Sequence, residues 1–129
     1  MLKQIIAIIL IAAGLAFTAG CYSIALNGVN NVGAFNHGEL QGLYNKKGPD
    51  VTQAAREAVK QMGLIEVAFT DNQFGSTLIV RDAADLKVQI KIAEANSLQT
   101  QINIRWGTGG DRDRSIQFYN LVEKILGGQ

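Results

Sequence analysis

The sequence predicts an α+β fold: an antiparallel sheet of about five strands with two helices on one face, a two-layer sandwich. Two observations carry this prediction. Residues 86–92 and 98–106 alternate strictly between apolar and polar side chains, which is typical of strands with one buried face and one wet face. Two other segments repeat apolar residues at helical spacing, one before these strands and one at the end of the chain.

The chain begins with an apolar leader. Residues 5–17 are uncharged and fewer than the roughly 20 residues that span a bilayer, and small residues then precede Cys21. This pattern resembles a bacterial lipobox. The resemblance implies a lipoprotein signal peptide over residues 1–20, cleavage before Cys21, and acyl chains on that cysteine. An uncleaved amino-terminal helix and a secretory signal cut without lipidation remain as alternatives.

A tether and a single domain are expected to follow the leader. Residues 21–37 are predicted to be the lipidated cysteine and a tether, because Asn and Gly interrupt each apolar stretch and charged side chains are lacking. The α+β domain is expected over 38–129. Its first strand is predicted at 38–45. A helix is predicted over about 50–62, with Asp50 in the capping position.

The remaining elements are predicted from the same two patterns, alternation for strands and helical spacing for helices. Strands are expected at 65–70 and 76–81, with Ile65, Val67 and Phe69 on the inward side, and the two alternating strands come next. A broad apolar stripe then predicts a C-terminal helix that ends before Gly127. The order is strand, helix, four strands, helix, and helices packed on one side leave the other side of the sheet open to water.

The open side of the sheet, with its margins, is the predicted partner surface. Polar side chains that alternate with the apolar ones should occupy it: Glu66, Lys87, Lys91, Gln99, Gln101, Asn103 and Arg105.

Composition narrows the classes of function. Without residues 1–20 the chain has 11 basic and 11 acidic residues, and it lacks the basic cluster that nucleic-acid binding requires. Cys21 is the only cysteine, so an intramolecular disulfide or a multi-thiolate metal site cannot form. We therefore expect no nucleic-acid partner, no metal and no cofactor.

The residues that could support catalysis have structural interpretations. His37 is the only histidine and lies in the predicted tether, so the usual serine triad cannot be assembled. Asp82 and Asp85 could act as acid and base or bind a hard cation, as could Asp111 and Asp113. Their positions at a turn and at a helix start favour capping roles. We predict no catalytic residue.

The segment before the C-terminal helix has two features of interest. Its glycines at 107–110 suggest a phosphate cradle, but Asp111 and Asp113 would repel a phosphate at that helix start. Trp106 continues the apolar register of its strand, which predicts a place in the core.

Three motifs connect the domain to a known family. They are Gly38-Glu39-Leu40, Met62-Gly63-Leu64 and the run from Ile104 to Asp111 that leads into the last helix. With the lipobox, they resemble a family of small bacterial lipoproteins whose domain has unknown function. The resemblance implies the fold order and an envelope location, and it transfers no catalytic residue.

Together these observations predict a lipid-anchored protein of the bacterial cell envelope. Because Tyr22 follows the cysteine where an Asp commonly retains lipoproteins at the inner membrane, we expect the periplasmic side of the outer membrane in a Gram-negative organism. The leading hypothesis is a non-enzymatic module that binds an envelope protein or a peptidoglycan-associated component. A carrier of lipid or a small ligand is the alternative, and an enzyme of unrecognised type is third.

Overall fold

In the computed structural model, seven antiparallel strands form one sheet, and two helices cover one of its faces. The structure describes residues 23–25 and 32–127, so the predicted signal peptide and Cys21 lie outside the described residues. In chain order the elements are β1 (Ser23–Ala25), β2 (Val32–Asn36), β3 (Glu39–Tyr44), α1 (Gly48–Gln61), β4 (Ile65–Asn72), β5 (Gly75–Arg81), β6 (Lys87–Glu94), β7 (Thr100–Trp106) and α2 (Arg112–Ile125).

The strand order across the sheet is β1-β2-β3-β7-β6-β5-β4. The α+β class, the antiparallel sheet and the two helices are confirmed. The count of about five strands was wrong, because the sheet has six strands of five to eight residues and the three-residue β1. The two additional strands, β1 and β2, come from the segment predicted to be the tether. No helix in the described ranges is both long enough and apolar enough to cross a membrane.

A tight hairpin accounts for β2. Asn36 pairs with Glu39, and the two residues between them both have positive φ, 51° at His37 and 79° at Gly38. This is the backbone of a type I′ turn, whose twist matches that of the strands it joins. His37 and Gly38 therefore reverse the chain inside the sheet, and the segment before them is a paired strand where a spacer was predicted.

The core lies between the helices and one face of the sheet. Side chains with no exposed surface come from both layers: Leu40, Leu78, Val88, Ile90, Ile102 and Ile104 from the strands, and Val51, Ala55, Ala58, Phe118, Tyr119 and Val122 from the helices. Burying one large apolar side chain contributes about 1.5–3 kcal/mol relative to leaving it exposed. Because all of this burial is on one face, the opposite face keeps its polar side chains in water.

Helix α1 begins at Gly48, two residues before the predicted start. Its N-cap residue is Lys47, which makes no side-chain capping bond, and Glu94 of β6 accepts a hydrogen bond from the Gly48 N–H at 3.1 Å. Asp50 lies in the first turn, where its charge still favours the helix dipole. The predicted capping role of Asp50 was therefore wrong, because the capping acceptor comes from a distant strand.

Strand β4 departs from the predicted alternation. A bulge between Glu66 and Ala68 shifts the register against β5. As a result Ile65, before the bulge, and Phe69, after it, point to opposite faces of the sheet. Phe69 packs against the core, but Ile65 and Val67 are 67% and 59% exposed. The prediction that all three point inward was wrong for this reason.

Candidate functional site

The candidate site is the face of the sheet that the helices do not cover, and we call it the open face. Strand β5 shows how it forms: Ser76, Leu78 and Val80 are buried under the helices, and the residues between them point to the other side. The paired registers extend this alternation over four adjacent strands. The open face consists of Glu39, Gln41, Leu43, Thr77, Ile79, Arg81, Lys87, Gln89, Lys91, Ala93, Gln101, Asn103 and Arg105.

The open face is ordered in rows that run across the strands. One row joins Glu39, Arg105, Gln89 and Ile79; the next joins Gln41, Asn103, Lys91 and Thr77. Leu43, Gln101 and Ala93 form a third row, and at the opposite margin Arg81 lies directly beside Lys87. Directly opposed side chains in such rows have Cβ atoms about 5 Å apart, so the surface presents its functional groups at fixed spacing.

The structure brings five of the seven predicted surface residues together here: Lys87, Lys91, Gln101, Asn103 and Arg105. Glu66 does not belong to the open face. It lies on the helix side, where its carboxylate accepts two hydrogen bonds from Arg56 of α1 at 3.0 and 3.1 Å. The bulge in β4 is the reason for this error. Gln99 lies at the end of the β6–β7 connection, where it bonds the side chains of Asn45 and Asn96.

Several members of this face are not among the residues predicted from the sequence. Gln89 stands between Lys87 and Lys91 in the same alternation, so the signal that identified its neighbours also pointed to it. Glu39 and Arg81 belong to strands that were predicted correctly, but their place in the cluster depends on which strands pair. Strand β3 pairs with β7 from the far end of the chain, which periodicity does not reveal.

The open face is basic although the chain is nearly neutral. It carries four cationic side chains and a single acidic one, Glu39. Arg105 is 3.9 Å from Glu39, a long ion pair, and Arg81 is 4.0 Å from the exposed Asp85. Lys87 and Lys91 are exposed and form no ion pair within residues 32–127. The face therefore retains positive charge that the rest of the described chain does not neutralise.

Amide side chains surround these cations. Gln101 donates a hydrogen bond to Asn103 Oδ1 at 2.8 Å, and Gln41 and Gln89 lie in the adjacent positions of the rows. An amide both donates and accepts hydrogen bonds, and an ammonium or guanidinium group only donates. The combination suits a ligand that is anionic and rich in oxygen atoms.

Comparison with known families assigns the chain. The model of a family described as protein of unknown function, DUF3568, matches residues 4–125. The chain belongs to the DUF3568 family. Among curated proteins, none matches it. The resemblance to a domain of unknown function is confirmed, and the DUF3568 assignment brings no activity or site residue with it.

The DUF3568 domain also has a concave region on its helix side. An open groove of about 850 Å³ separates α1 from the β4–β5 hairpin. Phe69 forms part of its wall under the guanidinium of Arg56, 4.4 Å from the ring centroid, and Phe74 at the hairpin tip is 80% exposed. Most other side chains that line it are polar or of both charges, so the groove suggests no single class of ligand.

Asp82 is the centre of a buried polar cluster. Its Oδ1 accepts hydrogen bonds from the backbone N–H groups of Ala84 and Leu86, and its Oδ2 accepts from Trp106 Nε1 at 2.8 Å and Arg114 Nη1 at 3.0 Å. These bonds, led by the one from Leu86, lower the pKa of the Asp82 carboxyl. The hydrogen bonds of this cluster connect the β5–β6 turn to β7 and α2, so its role is structural.

The other residues considered for catalysis also have structural roles. Asp111 caps α2 by accepting a hydrogen bond from the Arg114 N–H at 3.0 Å, as predicted. Trp106 is 3% exposed, which confirms its place in the core. His37 is exposed at the hairpin tip. Within the part of the chain that the structure describes, no three His, Cys, Asp or Glu side chains lie close enough to hold a metal ion.

Proposed function

We propose that the protein is a lipid-anchored module of the bacterial cell envelope that binds an envelope component through its open face and catalyses no reaction. The anchor is the acylated Cys21. The family match begins at residue 4, so the apolar leader and Cys21 belong to the span that the DUF3568 model covers. In a Gram-negative organism the protein faces the periplasm from the outer membrane.

The observation that carries the binding proposal is the set of cations and amides on a rigid sheet. Side chains on paired strands are already held in position, so few of them lose conformational freedom when a complementary partner binds. Lys87 and Lys91 are available to a partner because neither is used in an ion pair by the described residues. An envelope protein or a peptidoglycan-associated component with anionic groups would fit this surface.

The carrier alternative has weaker support. A carrier of lipid needs an enclosed apolar cavity, and the groove beside α1 is open to water and lined largely by polar side chains. The apolar space between the helices and the sheet is filled by the side chains of the core.

The anchor is tested by replacing Cys21. In cells grown with a labelled fatty acid, the natural chain should incorporate label and fractionate with membranes. Cys21→Ser should remove the label and prevent cleavage at that position, because the thioether to diacylglycerol cannot form. Label that persists in Cys21→Ser would overturn the proposed anchor.

The open face is tested by photocrosslinking in the same cells. A photoreactive amino acid in place of Gln101 or Arg105 should give an adduct of defined mass, identified as protein, glycan or lipid by mass spectrometry. The matched control is Gln53, which is exposed on α1. Absence of an adduct at both open-face positions, or equal adducts at Gln53, would contradict the proposal.

A further inference from the structure

We infer that the partner of the open face is the membrane itself: the face lies on the anionic lipid headgroups of the bilayer that holds Cys21. This inference rests on the proposed function and names the ligand that the open face binds. Three observations support it, namely the segregation of charge, the distance from the anchor to the sheet, and the exposed aliphatic side chains at one margin.

Charge is divided between the two sides of the domain. The open face has four basic residues and one acidic residue, whereas seven basic and ten acidic residues occupy the helices, the connections and the helix side of the sheet. The domain is therefore an electric dipole with its positive end at the open face. Beside an anionic surface such a molecule turns its open face towards the surface. In this orientation the surface attracts the basic face and repels the acidic side, so both forces favour it.

The anchor holds the sheet close to the bilayer. Strand β1 begins at Ser23, two residues after Cys21, and two residues span at most about 7 Å. Ser23 pairs with Ala34, which pairs with Gln41 in the row that contains Lys91. The acyl chains are thus attached beside a row of the open face, and the nearest anionic surface to its cations is the headgroup layer.

The margin of the face at β4 adds apolar contact. Ile65 is paired with Arg81 on this side of the sheet and is 67% exposed, and Val67 follows in the bulge with 59% exposure. Aliphatic side chains beside Arg81 and Lys87 form the combination found in segments that lie in the bilayer interface, where cations meet phosphates and aliphatic groups enter the acyl boundary.

Because the protein is already anchored, weak attraction is sufficient. Docking of the face is an intramolecular step whose effective concentration is set by the short link to the membrane. Each cation near an anionic leaflet changes such an equilibrium by about fivefold. Removing two cations should then reduce the docked population relative to the undocked one by about thirtyfold.

The experiment uses the full lipidated protein in vesicles. With Cys21 acylated, an introduced cysteine is the only free thiol, and it is labelled with an environment-sensitive fluorophore. Ala93→Cys places the label on the open face, and Gln53→Cys places it on α1; both parent residues are exposed. We compare vesicles of phosphatidylcholine alone with vesicles that also contain phosphatidylglycerol.

The expected result is a blue-shifted emission, quenched by headgroup-labelled lipid, for the Ala93→Cys label on anionic vesicles only. The Gln53→Cys label should remain aqueous on both. Raising the ionic strength to about 1 M, where the Debye length is about 3 Å, should return the Ala93→Cys label to water. Lys87→Gln with Lys91→Gln should lower the ratio of docked to undocked protein, obtained from the emission, by about thirtyfold. Lys60→Gln with Lys124→Gln, an equal change of charge on the helices, should leave that ratio unchanged.

Two results would overturn the inference. One is an aqueous Ala93→Cys label on anionic vesicles, and the other is a shift of the same size on phosphatidylcholine that salt does not reverse. Crosslinking at Gln101 and Arg105 in cells then separates the failure of this inference from the failure of the proposed function. A protein or glycan adduct at either position keeps the proposed function with a different partner, and the absence of an adduct at both positions removes the inference and the proposed function.

Discussion

At the scale of single residues, Gly42 shows what a sequence pattern can conceal. It lies in β3 on the same face as the buried Leu40 and Tyr44, and a Cβ atom at this position would overlap the ring of Tyr119. That ring stacks on Tyr44 with centroids 4.5 Å apart. Tyr44 donates to the Tyr119 carbonyl at 3.0 Å, and Tyr119 donates to the Leu43 carbonyl at 2.6 Å. Gly42 is thus required by the packing of α2.

We predict that Gly42→Ala lowers the free energy of unfolding by about 1–3 kcal/mol, the usual cost of forcing extra volume into a packed core. Gly109→Ala is the matched control, because a Cβ there meets no atom within 4 Å. Urea unfolding followed by circular dichroism measures both variants. Equal stabilities of the two would show that Tyr119 does not occupy this position.

The paired tyrosines predict a loss of stability at alkaline pH. Burial raises the pKa of Tyr44, with Tyr119 and the nearby Glu123 adding to the effect, and burial also raises the pKa of Tyr119 above 10.0. Stability is therefore complete below pH 10.0 and falls as the pH rises above it, because the unfolded chain ionises first. The variant Tyr44→Phe with Tyr119→Phe should show a flatter alkaline limb in chemical denaturation. An unchanged limb would contradict this origin.

Asp82 predicts the opposite dependence at acid pH. Its folded-state pKa lies below the ordinary 3.8, so the stability it provides is present above that value and is lost as the pH falls through the lower folded pKa. Asp82→Asn should lower the melting temperature by several degrees at neutral pH and reduce the acid dependence. Asp85→Asn is the control, since that side chain is 90% exposed. Similar effects of the two substitutions would exclude the buried cluster as the cause.

At the scale of elements, the sequence predicts well those strands and helices that keep a single hydrophobic period from end to end. Strands β6 and β7 have uninterrupted patterns, and the structure places them within two residues of the predicted bounds. Helix α2 ends at Ile125, before Gly127 as predicted. The errors occur where local periodicity does not determine which face a side chain occupies or whether a strand forms. The bulge in β4 changes a phase inside a strand, and β2 exists because a type I′ turn returns it to β3.

The start of α1 is an error of the same kind, and it gives a prediction. Glu94 caps this helix from β6 through the Gly48 N–H. Glu94→Ala should cost about 1 kcal/mol of unfolding free energy, as loss of other caps does. Ser97→Ala, at an exposed position in the following turn, should be nearly neutral. Guanidinium denaturation of the two variants tests the assignment, which fails if Glu94→Ala is as stable as the natural chain.

At the scale of the whole molecule, the arrangement of charge matters more than its sum. Five of the seven predicted surface residues do meet on the open face, because alternation within β6 and β7 identifies them. The basic character of the face could not be predicted from the overall balance. Three of its four cations, Lys87, Lys91 and Arg105, belong to the predicted set. Arg81 joins them across the β5–β6 hairpin, and the position of Glu39 follows from the pairing of β3 with β7, which are distant in sequence.

The central claim is that the open face is covered in the native membrane. Hydroxyl-radical footprinting of the protein in isolated membranes and in detergent tests it directly. Leu43 and Ile79 report on the open face, and Phe74 and Leu98, 80% and 73% exposed at hairpin tips, report on the rest of the surface. We predict that the membrane slows oxidation of Leu43 and Ile79 but not of Phe74 and Leu98. Equal oxidation of Leu43 and Ile79 in membranes and detergent would contradict the claim.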